Sequence, residues 1–128
     1  SSTFDVAIDV FSTYCLNEDG FRRCLFEVGR VLRPGGQFFS FHPSKASDAF
    51  KNHLPAAMLD ASTLSGIHRE TSPYYGNFYP FRFINLEEFK HVLQLVGLEF
   101  IRGETVGRTY RGGIEYFEFL SVVAGKPL

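Results

Sequence analysis

The chain has 128 residues, 45% hydrophobic and 21% charged, with thirteen basic residues against fourteen acidic ones for a net charge of −1. That length supports one domain with a sizeable core, and the apolar content is that of an ordinary globular protein. The charge balance excludes the basic field that nucleic acid or an anionic lipid surface would need, and no apolar run approaches the roughly 20 residues of a membrane span.

The opening residues, SSTFDVAIDV, show no charged segment followed by an apolar one, so no signal peptide is visible. Cys15 and Cys24 are the only cysteines. Two thiols in such a composition point to a cytoplasmic protein in which both stay reduced and act as small, half-buried apolar residues. His42, His53, His68 and His91 have no i,i+4 or Cys-x-x-Cys companion, so no metal site is expected.

Phe4 to Phe11 (FDVAIDVF) is nearly continuous in apolar character, which predicts a strand covered on both faces. Ser12 to Gly20 is a polar connection in which Asn17 or Asp19 is placed to cap a helix. From Phe21 to Leu32, apolar residues at 21, 24, 25, 28, 31 and 32 form a helical stripe. Arg33-Pro34-Gly35-Gly36 stops that helix, and Gln37 to Phe41 (QFFSF) is the next strand. A strand, a helix and a strand in this order make a βαβ unit with parallel strands.

Between His42 and Phe83 no clear period appears, although Ala46 to Leu59 has room for one or two short helices. Asn85-Leu86-Glu87-Glu88 reads as a capping box that opens a helix, with Leu86, Phe89, Val92, Leu93 and Val96 as its buried face and Gly97 as its stop. Leu98 to Thr105 and Tyr116 to Ala124 read as strands, and Gly107 to Gly113 as a loop or loose hairpin tip. The order is strand, helix, strand, long insertion, helix and a closing antiparallel pair, an α/β pattern.

The residues EVGRVLRPGGQFFSF, joined to Phe4-Asp5 upstream and to NLEEFKHVLQLVGLEFIRGE and YFEFLSVVAGKP downstream, resemble the class I S-adenosylmethionine-dependent methyltransferases of the type 11 and type 25 kind. Glu27, Arg30, Val31, Leu32, Arg33, Pro34, Gly35 and Gly36 follow the family's helix-to-strand signature. The resemblance does not reach 43–80. It implies the C-terminal half of a doubly wound, Rossmann-like sheet, with strands in the order 4-5-7-6 and the last strand antiparallel. On that reading residues 1–128 are a single partial domain, with 43–83 as an insertion over the acceptor. The family's glycine-rich loop, Gly-x-Gly-x-Gly after the first strand, and its acidic ribose ligand have no counterpart in the sequence. The expectation is therefore a fragment, inactive alone, whose complete form uses S-adenosylmethionine.

Open parallel sheets bind ligands at the carboxyl ends of their strands. By resemblance, Asp9, Val10 and Phe11 touch the cofactor, and Ser12 and Thr13, with Tyr75 and Tyr79 of the insertion, face a small-molecule acceptor. Tyr14 and His42 are the catalytic candidates: a phenol at a pocket mouth orients a nucleophile, and a neutral imidazole takes the proton that an N or O acceptor sheds. The plain alternatives are a solvated strand end and a histidine satisfied by a backbone group ahead of Pro43. Tyr74, Phe78, Phe81 and Phe83 either stack on an acceptor or pack the insertion onto the sheet. Arg69, Arg82, Arg108 and Arg111 offer charge to an anionic acceptor, but scattered arginines are usually solvated.

Two functions fit: methyl transfer to a small molecule, or a non-catalytic α/β interaction module. Neither a nucleic acid nor a membrane is expected as partner. The strand at 4–11 is expected to pair either with a second copy of the chain or with an N-terminal half.

Overall fold

The computed structural model describes residues 3–128. Along the chain run β1 (Phe4–Val10), α1 (Glu18–Val31), β2 (Leu32–Pro43), α2 (Asp48–Lys51), β3 (Thr63–Leu64), β4 (Phe81–Arg82), α3 (Leu86–Leu95), β5 (Glu99–Tyr110) and β6 (Glu115–Gly125). One sheet has the order β1-β2-β6-β5, and β3 and β4 form a separate pair. β1 and β2 are parallel, whereas β6 runs antiparallel to both β2 and β5. This is the expected α/β block in the order 4-5-7-6, with its final strand antiparallel.

The helix boundaries follow local chemistry. The Asn17 side chain accepts from the Gly20 amide and starts α1. At α3 the capping box is closed on both sides: Asn85 Oδ1 accepts from the Glu88 amide at 2.8 Å, and Glu88 Oε1 accepts from the Asn85 amide at 3.1 Å. Phe21 and Leu25 of α1 and Phe89 and Leu93 of α3 pack with Phe38, Leu120, Val122 and Ala124 on one face of the sheet. Each buried Phe or Leu contributes roughly 1.5–3 kcal/mol of transfer free energy.

Near its start, where its register with β1 shifts, β2 needs both of its glycines. Gly35 has φ +82°, and a Cβ on Gly36 would sit 2.8 Å from the Arg33 carbonyl oxygen. No side chain fits that approach.

Five expectations are corrected here. The second strand is longer than Gln37 to Phe41: β2 starts at Leu32, directly after α1, so Arg33 to Gly36 belong to the strand. β1 ends at Val10, because Phe11 turns to φ +51°, a left-handed conformation that is costly for a bulky residue. Nor is β1 covered on both faces: Phe4, Val6, Ile8 and Val10 are 56%, 57%, 68% and 56% exposed. β5 runs through Gly107 to Tyr110, and the hairpin tip shrinks to Arg111–Gly113. Gly107 stays in the strand because the Tyr116 ring lies across it, where a Cβ would meet the hydroxyl. Finally, Cys15 is exposed and only Cys24 is half-buried.

The insertion packs against the sheet through a second core. Ala49, Ala56, Leu64, Ile67, Phe81, Phe83 and Phe117 are buried together, with Phe11, Tyr14, Tyr74 and Phe119 against them. Polar ties hold it as well. Buried Glu115 accepts from Arg69 Nε at 2.8 and 3.0 Å and from Thr71 Oγ1 at 2.7 Å. Within 46–59 one short helix forms, α2, and the two-residue strands β3 and β4 escaped notice because two residues carry no period.

Candidate functional site

At the carboxyl end of β1 the chain folds back on a single carboxylate. Asp9, 5% exposed, accepts five hydrogen bonds from neighbouring groups. Its Oδ1 takes the Ser12 amide, the Ser12 hydroxyl and the Thr13 amide. Its Oδ2 takes the hydroxyls of Thr13 and of Ser40 on β2, both at 2.8 Å. Ordering a short polar segment in this way is what Asp side chains do at turns. Both oxygens are occupied, so Asp9 holds the loop and has little left to offer a ligand.

Above the carboxylate lie the aromatic rings. Phe11 stacks on Tyr14 with centroids 4.3 Å apart, and Phe119 meets Phe11 edge-on at 5.2 Å. The Tyr14 hydroxyl meets the Tyr79 hydroxyl at 2.5 Å. Burial and that hydrogen bond push the Tyr14 phenol up to about 12, so it remains neutral and can donate or accept. Tyr75, half exposed, packs edge-on with Phe78 and is not brought to this group. Val10 points to the exposed side of β1.

His42 is fully buried beneath the loop. Its partner is the Arg82 guanidinium, with Nη2 3.0 Å from Nε2, and a guanidinium can only donate. Burial and then the Arg82 charge hold the imidazole well below its usual range, so it is neutral. The backbone partner ahead of Pro43 is replaced by an arginine from the insertion. In this arrangement His42 is enclosed by the fold.

Ser40 was not singled out from the sequence, and Arg82, expected to be solvated or to offer charge to an anionic acceptor, is instead buried. Arg82 is fully buried, and its Nη1 donates to the carbonyls of Thr13 at 2.9 Å and Leu16 at 2.5 Å. The guanidinium carbon lies 3.7 Å from the Phe21 ring centroid. Burial lowers Arg82 to about 9, against the pull of Asp9 and Asp60. It therefore stays charged at neutral pH. The available signal was its setting between Phe81 and Phe83, in a segment too apolar for a solvated arginine.

For S-adenosylmethionine, the described residues provide an apolar wall at Phe11. The oxygens of Asp9 are already taken within the chain.

No protein-family model and no curated protein matches the sequence. Solved structures do match in fold. A methyltransferase dependent on S-adenosylmethionine from Methanosarcina mazei superposes with a TM-score of 0.74 at 18% identity, over 99% of this chain and 61% of that one. The 1,6-didemethyltoxoflavin-N1-methyltransferase of Burkholderia thailandensis, solved with 1,6-didemethyltoxoflavin and S-adenosylhomocysteine, gives 0.62 at 16% identity, over 99% and 45%. The [4+2]-cyclase SpnF gives 0.60 at 16% identity, over 99% and 52%. The chain thus spans between 45% and 61% of the length of these structures. Among the described residues no helix is long and apolar enough to cross a membrane. With its parallel β1 and β2 and the antiparallel β6 placed between β2 and β5, the chain has the fold of the class I S-adenosylmethionine-dependent methyltransferases.

Proposed function

We propose that these residues form the acceptor side of an S-adenosylmethionine-dependent methyltransferase that acts on a small molecule in the cytoplasm. The observation that carries the reading is the Tyr14–Tyr79 hydroxyl pair at the carboxyl end of β1, the sheet edge where open α/β folds bind ligands. A neutral phenol pair orients an acceptor through hydrogen bonds, and methyl transfer depends on alignment more than on acid strength. Ser12, exposed beside the pair, and Thr13 complete the acceptor-facing edge. In this reading His42 supports the site from below, through Arg82.

The test is transfer of labelled methyl groups from S-adenosylmethionine to a panel of small phenols, amines and thiols by the complete domain. Tyr14→Phe is expected to lower the rate about tenfold, the value of one hydrogen bond, while cofactor affinity stays within about twofold. An unchanged rate in Tyr14→Phe would remove the phenol from the reaction.

One observation favours the second reading, a non-catalytic α/β interaction module. The Asp9 carboxylate is saturated inside the chain, and the fold alone does not assign chemistry. Transfer to no member of the panel would favour that module.

A further inference from the structure

Arg82 is an expensive residue to bury. A fully buried guanidinium loses its hydration, and Nε has no partner, yet no carboxylate touches the group. Packing alone would be served by an apolar side chain in its place. The geometry shows what the charge does instead. From β4 of the insertion, Nη1 takes the Thr13 and Leu16 carbonyls, which bracket Tyr14. Nη2 takes His42 on β2 at 3.0 Å and lies 3.5 Å from the Thr13 hydroxyl, which itself donates to Asp9. One rigid fork thus joins three segments that are far apart in sequence, and a lysine ammonium, a single point, cannot span them.

We propose that Arg82 is the positioning residue that fixes the Ser12–Leu16 loop, and with it Tyr14, to the insertion, so that the insertion and the strand end form one unit. The Tyr14–Tyr79 bond is the second tie between the same two parts. The fork holds the loop backbone from beneath and the phenols meet above it. An insertion that came away from the sheet would release both together. This inference rests on the acceptor-side reading only where it predicts an effect on methyl transfer.

The decisive experiment is amide hydrogen exchange on the full chain, comparing Arg82→Lys and Arg82→Met with the parent. The reporters are the amides of Ser12, Thr13 and Leu16, bonded to Asp9 and to the Thr13 carbonyl. The internal reference is the set of β6 amides at Leu120, Val122 and Ala124. We expect loop exchange about tenfold faster in Arg82→Lys, the loss of roughly one charge-assisted hydrogen bond, with β6 unchanged. Arg82→Met, whose fold is to be checked by the same β6 amides, should show at least as large a loop effect. Loop amides that keep their parental rates in Arg82→Lys would overturn the proposal. So would exchange that rises equally in the loop and in β6, since that marks a purely structural residue. In the complete domain Arg82→Lys should also lower kcat for methyl transfer and leave cofactor affinity unchanged. A loosened loop with an unchanged kcat would keep the clamp and overturn the acceptor-side reading.

Discussion

His42 illustrates how one burial decides the chemistry of a side chain. Fully buried and facing a guanidinium, it gains nothing from a proton and is held below its usual range. In the unfolded chain it titrates near 6.5. As pH falls through that value, the unfolded state takes up a proton that the folded state refuses. Stability is therefore expected to fall below about pH 6.5, with a slope approaching about 1.4 kcal/mol per pH unit. Urea midpoints measured at pH 7.5 and 5.5 check this, and His42→Gln should flatten the dependence. An equal pH dependence in parent and variant would show that another group is responsible. The position of His42 at a strand end was legible from the FHPS run that follows the helix-to-strand signature and its strand. Its burial was not, because that depends on Arg82, 40 residues away, and no local pattern reports so distant a partner.

At the scale of elements, α1 and α3 were readable because each has an apolar face at helical spacing and an asparagine at its start. The α3 box does more than begin a helix. Glu88 also pairs with Lys45 at 2.8 Å, which ties the helix to the start of the insertion. Asn85→Ala is expected to cost about 1 kcal/mol of stability, the usual value of an N-cap, read as a lowered urea midpoint with an unchanged slope. A change within about 0.3 kcal/mol would mean that water replaces the cap. The elements that sequence patterns missed have particular causes. The second half of β5 carries Gly107, which reads as a turn until the Tyr116 ring is seen to cover it. The insertion has no period since it is held by rings and by isolated polar ties such as Arg69 on Glu115. Those contacts are set by three-dimensional placement, and spacing along the chain does not reveal them.

At the scale of the whole molecule, the described residues leave two surfaces open. One is the carboxyl edge of β1, where the wall at Phe11 stands beside an Asp9 carboxylate already taken within the chain. Titration calorimetry on the 128-residue chain is expected to show no S-adenosylmethionine binding tighter than about 100 μM, and micromolar binding would show that this wall suffices. The other is β1 itself. Among the described residues it bonds to β2 along one side only, which leaves its other edge open to pairing. The face bearing Phe4, Val6, Ile8 and Val10 is more than half exposed, and such an edge templates pairing with another strand. Little guards it. Asp9 is buried in its loop, which leaves Asp5, and Asp5 is paired with Arg33 at 3.3 Å. No proline interrupts the strand. We propose that the isolated chain assembles through this edge. A twofold axis makes the new pairing antiparallel, because symmetry-related copies of one strand placed side by side must run in opposite directions. An axis through Ala7 sets Val6 opposite Ile8 of the second copy and Phe4 opposite its Val10, joining two apolar faces. Sedimentation at about 20 μM is then expected to show a dimer or larger species, and Ile8→Lys, placing charge at the centre of the joint, should give monomer. A parent chain that sediments as a clean monomer, or an Ile8→Lys variant as large as the parent, would show that β1 is not the joint.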